Sequence, residues 1–146
     1  MRTILIMFLI LLLPACNSSD SNFKLCGNKK YPYYHPDLSY EGGFYEIKRH
    51  FYENYSQIKN DKNTGIVQIQ FQVNCIGDTG NYKVSTYSLE YKNTIMDETI
   101  IHRLLQLTKG LKKWIPAVND NGENINSHKF FAFKLIDGKL IDILPK

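Results

Sequence analysis

From Gly65 to Asn74 the chain alternates almost without fault. Val67, Ile69, Phe71 and Val73 fall on one side, and Gln68, Gln70, Gln72 and Asn74 on the other. Successive side chains of a strand point to opposite faces, so this segment offers one face to a core and one to water. A strand covered on both faces would instead read as a continuous apolar run. The segment therefore predicts an antiparallel sheet with one wet face.

Helical segments are available to cover the other face. Phe44, Ile47, Phe51 and Tyr55 recur at spacings of three and four, which is one side of a helix. Asp97 stands where an N-cap is needed, since its carboxylate can accept from the free N–H groups of a first turn. Ile100, Ile101, Leu104, Leu105, Leu107, Thr108 and Leu111 then trace a broad apolar face. This helix should end near Gly110, because Pro116 forbids its continuation and pushes the preceding residue toward an extended shape. A turn at Asp78–Asn81 and a weaker alternation from Tyr82 to Leu89 suggest a second strand in a hairpin. The last apolar run, Phe130 to Ile136, meets Asp137-Gly138, a two-residue hairpin signal. Leu140 to Leu144 then either pairs back or trails along the sheet. Gly77, Gly80 and Gly122 read as turn residues with positive φ. The order helix, strand, strand, helix, strand predicts an α+β fold, a small antiparallel sheet of about three strands with two helices packed on one face.

The stretch from about Tyr40 to Lys139 resembles the C-terminal domain of TonB. The resemblance is carried by the Gly65–Val73 strand, the Gly77/Gly80 turn and the helix from Asp97. The Trp114-x-Pro116-Ala117 exit, Gly122 and the final strand through Phe133 complete it. It implies that Trp114 closes the core where helix meets sheet, and that Pro116 stops the helix so the chain can turn into the last strand. It also implies a binding style in which an extended peptide lies alongside the last strand. Here that edge would be Phe130, Phe131, Ala132, Phe133, Lys134 and Leu135. Backbone groups supply affinity in this mode and side-chain pockets supply selectivity. TonB proper has a transmembrane helix and a long Pro-rich spacer, whereas this sequence shows a short tether, so motor-driven energy transduction is not expected.

The apolar run from Ile4 to Leu13 is about half of the roughly 20 residues that span a bilayer, and it has the size of a secretory leader's core. It ends at Leu13-Pro14-Ala15-Cys16, ahead of the polar stretch Asn17 to Asn22. This segment resembles a bacterial lipobox, whose cysteine becomes the acylated first residue of the mature protein. The resemblance makes residues 1–15 a lipoprotein signal peptide and Cys16 the lipidation site. An ordinary secretory signal with an incidental Cys16 is the alternative. Acyl chains contribute about 0.8 kcal/mol per buried CH₂, so several of them anchor a protein firmly. Residues 16–39 would form the tether and an arm rich in tyrosine (Tyr31, Tyr33, Tyr34), and residues 40–146 the domain. The address implied is the bacterial cell envelope, periplasmic or associated with the outer membrane. With Cys16 on lipid, Cys26 and Cys75 remain as an even pair in an oxidising compartment. Bonded, they would close a loop of about 50 residues, which contributes roughly 3–4 kcal/mol in the loop-entropy model. Two separate thiols are the alternative.

Little in the sequence points to chemistry. Without Arg2, 17 basic and 14 acidic residues leave a net charge of +3, and no basic stripe suggests nucleic acid. There is no CxxC pair, and Ser85 and Ser88 lack the Gly-flanked elbow of a hydrolase. Gly42-Gly43 lacks the Gly-Lys-Ser/Thr of a phosphate loop. Glu46, His50 and Glu53 share a helix face, read as a solvated one rather than a metal site. His35, His102 and His128 show no ligand spacing. Lys109, Lys112 and Lys113 suit a helix C-terminus, where cations meet the negative end of the dipole. No enzyme activity, cofactor or metal is expected. The expected function is a lipid-anchored envelope protein that binds another envelope protein or peptide by strand addition. An uncovered edge also makes a homodimer possible. The alternative is a structural part of an envelope assembly that binds no free peptide.

Overall fold

The computed structural model describes residues 22–27, 35–60 and 62–145. The leader, Cys16 and the arm tyrosines Tyr31, Tyr33 and Tyr34 lie outside the described residues. In chain order the elements are β1 (Ser39–Tyr40), α1 (Gly43–Asn54), β2 (Gly65–Val73), β3 (Thr79–Tyr87), α2 (Glu98–Gly110), β4 (Trp114–Ile115), β5 (Ala117–Val118), β6 (Asn124–Ile125), β7 (Ser127–Ile136) and β8 (Lys139–Leu144).

The fold is α+β. Its main sheet is antiparallel, with strand order β3-β2-β7-β8. Two small ribbons, β1 with β4 and β5 with β6, flank it. The alternation of β2 survives intact, with every second residue from Gly65 to Val73 buried. Directly paired residues share a face, so Val67, Ile69 and Phe71 stand beside Phe133, Phe131 and Lys129 of β7. Onto this face α1 places Ile47 and Phe51, and α2 places Ile100, Leu104 and Leu107. Phe51 meets Phe133 with ring centroids 4.8 Å apart.

The local signals act as chemistry dictates. The Asp97 carboxylate accepts from Thr99 N–H at 2.8 Å, and this bond holds its pKa below the usual carboxylate range. Helix α2 ends at Gly110, and Leu111 turns to an extended conformation. Trp114 is 6% exposed and packs against Phe71 at 5.4 Å and Tyr40 at 5.1 Å, closing the core beside β1. Asp137 and Gly138 both have positive φ (48° and 69°), the conformation a two-residue hairpin demands.

Three expectations need correction. The main sheet has four strands rather than about three, because the tight Asp137-Gly138 turn returns β8 against β7 and buries Leu140 and Ile143. The β2–β3 turn falls at Asn74–Asp78, earlier than Asp78–Asn81. There the Asn74 side-chain oxygen accepts from Ile76 N and Asp78 N, and Gly77 has φ 88°. Gly80 belongs to β3 and not to the turn; a Cβ at that position would collide with the Phe23 ring. Its glycine makes room for a neighbour, whereas Gly77 and Gly122 (φ 76°) do supply turns.

Candidate strand-docking edge

The segment expected to form an open edge is an interior strand over most of its length. Ala132, Phe133, Lys134 and Leu135 pair with β2 on one side and with β8 on the other. Phe130 and Phe131 pair with Gln70 and Ile69 and lie beyond Leu144, where β8 ends. Phe131, Phe133 and Leu135 are fully buried. A peptide cannot add to Ala132–Leu135, because β8 already uses those backbone groups.

Among the described residues, the sheet's edge strands are β8 and β3. Helix α1 runs along β8. The Tyr52 hydroxyl donates to the Ile141 carbonyl at 3.2 Å, and Lys48 Nζ lies 3.6 Å from Asp142. Among the described residues, β3 has an outer backbone partner at its C-terminal end. Thr94 N–H donates to the Thr86 carbonyl at 3.2 Å, and Tyr87 forms an isolated bridge with Asn93. Alternate residues of a strand turn their backbone groups to the same side. Thr86 faces outward through that bond, so Val84, two residues before it in the same register, turns its N–H and C=O outward too.

Helix α2 reaches β3 through its Lys109 side chain. Ile101, Leu105 and Lys109 recur every fourth residue, and all three are half-buried. Lys109 Nζ stands 5.2 Å from the centre of the Tyr82 ring, which stacks on Phe71. The Tyr82 hydroxyl donates to Thr79 Oγ1 at 2.7 Å. Core-side side chains of an added strand would lie on the Tyr82 and Val84 side of the sheet, while outward ones would join Asn81, Lys83 and Ser85 on the wet face.

Cys26 and Cys75 are joined, with Cα atoms 5.9 Å apart. The structure also brings together histidines whose spacing suggested nothing. His35 and His128 line a small cleft of about 120 Å³ with Leu38, Lys129, Phe130 and Pro145. Burial pushes the Lys129 ammonium and the His128 imidazolium below their ordinary pKa values. Among the described residues, no group of three or more His, Cys, Asp or Glu could hold a metal ion. His50 Nε2 lies 2.9 Å from the Leu107 carbonyl, and Glu46 pairs with Arg49. Lys113 pairs with Glu41 at 2.9 Å. Strand pairing partners hundreds of atoms apart in the chain left no local mark, so the β3 edge had no sequence signal beyond its weak alternation. No protein-family model matches this chain, and no curated protein or solved structure is significantly similar to it.

Proposed function

We propose that this chain is a lipid-anchored protein of the bacterial cell envelope, acylated at Cys16, whose TonB C-terminal-like domain binds a protein or peptide by strand addition. The docking edge is β3, from Thr79 to Ser85, rather than the last strand. The TonB-like reading is supported by the order α1, β2, β3, α2, β7 with both helices on one sheet face. The docking mode rests on one observation, a main-sheet edge strand whose Val84 backbone groups turn away from β2. Lys83 on the wet face is the kind of charge that discourages unselective edge pairing.

The test compares Val84→Pro with Val84→Ala in capture from solubilised envelope membranes. Proline removes the outward N–H without taking a bond from β2, whereas alanine keeps that donor. The alanine variant should capture the same partner as the natural chain, and the proline variant should lose it. A folded proline variant that captures the partner undiminished would show that the edge is not used. Self-pairing through the same edge would appear as a dimer in sedimentation, abolished by the same proline.

A further inference from the structure

We infer that the domain meets its own membrane through one end, the surface around Leu25, Ile76 and Ile115. This rests on the proposed acyl anchor at Cys16, and it concerns which face that anchor holds toward the lipid.

The segment that leads to the anchor is clamped at a single place. Cys26 is bonded to Cys75, just past the end of β2. Cys26 N–H donates to the Asn126 side-chain oxygen at 3.0 Å, and the Asn126 amide donates back to the Cys26 carbonyl at 2.8 Å. The Asn74 amide donates to the Lys24 carbonyl at 3.0 Å. Phe23 sits in the space left by Gly80. The Trp114 carbonyl presses on the same turn, since a Cβ on Gly77 would come within 2.7 Å of it. Leu25, Ile76 and Ile115 are therefore neighbours of one another's segments, and they are 41%, 72% and 50% exposed. Single exposed apolar residues are ordinary, but here three stand on segments locked together at the anchored end.

The tether's length bears on the orientation. Seven residue steps separate Cys16 from Phe23, a reach of about 25 Å when fully extended. The nine residues of β2 span about 30 Å. Tyr91 and Ile95, 77% and 92% exposed, lie at the far end of that strand, where Thr94 bonds to Thr86. The tether's reach keeps the clamped Cys26–Cys75 end near the membrane that holds Cys16, whereas no such tie holds Ile95 there. Tethering also raises the local concentration of lipid at the near end, so a small apolar contact suffices to orient the domain. In that orientation the end that carries Tyr91 and Ile95 points away from the lipid.

The test uses the full natural chain, purified from membranes and reconstituted alone into phosphatidylethanolamine–phosphatidylglycerol vesicles. The vesicles carry a lipid with a photoreactive diazirine near its glycerol. After irradiation and digestion, lipid adducts should map to Leu25, Ile76 and Ile115 and be lacking at Tyr91 and Ile95. Ile76→Asp should lose the adducts at its end, whereas Ile95→Asp should leave them unchanged. The mass of the Cys16 peptide in the same digest reports acylation. An acylated chain without adducts at the Cys26–Cys75 end, or with equal adducts at Ile95, overturns the membrane face alone. A chain without acyl groups overturns the anchor and the membrane face together.

Discussion

Asn63 shows how much one side chain can hold. It is fully buried, and its carboxamide oxygen accepts from Asp97 N–H at 3.2 Å. Its carbonyl accepts from Gly138 N–H at 2.9 Å. One residue thus ties the start of α2 to the β7–β8 turn. Asn63→Ala leaves the part-buried Asp97 N–H without this acceptor and should cost about 1–2 kcal/mol. Urea unfolding should show a lower midpoint with an unchanged slope. Nothing local in the sequence marks Asn63, since its partners lie far along the chain. Trp114 was easier to read. The resemblance of the Trp114-x-Pro116 exit implies a core-closing aromatic there, but its contact with Tyr40 comes from a pairing no local pattern announces. Tyr55, read only as part of a helix face, donates to the Gly138 carbonyl at 2.7 Å, and burial pushes its pKa up to about 12.

At the level of elements, the turns separate conformational need from close approach. Gly122 has φ 76° with open space where a Cβ would go, so Gly122→Ala should cost only the left-handed penalty, about 1–2 kcal/mol. Gly138 has φ 69°, and a Cβ there would also strike the Ile58 carbonyl. Gly138→Ala should therefore lower the thermal midpoint further than Gly122→Ala, which differential scanning calorimetry checks. Elements whose cause is local were legible. The alternation of β2, the cap at Asp97 and the Asp137-Gly138 turn all appear where residue chemistry puts them. The start of β3 was not, because Gly80 looks like a turn residue unless Phe23 is known to lie against it.

For the molecule as a whole, the Cys26–Cys75 bond fastens the N-terminal segment to the sheet across 49 residues. Replacing both cysteines with serine should cost about 2–5 kcal/mol. Amide exchange should rise most over residues 22–27, while β2 and β7 keep their protection as the sheet's two central strands. Equal loss of protection throughout would show that the bond holds the core rather than the arm. Alternating polarity, capping and turn residues decided the fold class before any contact was known, because those effects act within a few residues. The choice of edge was decided only by tertiary structure. Both β3 and the final run look like half-buried strands in isolation, and hydrogen bonds between distant segments determine which of them faces solvent. The return of β8 enclosed Ala132–Leu135 and left β3 at the border, so the place of docking moved while the fold class stood.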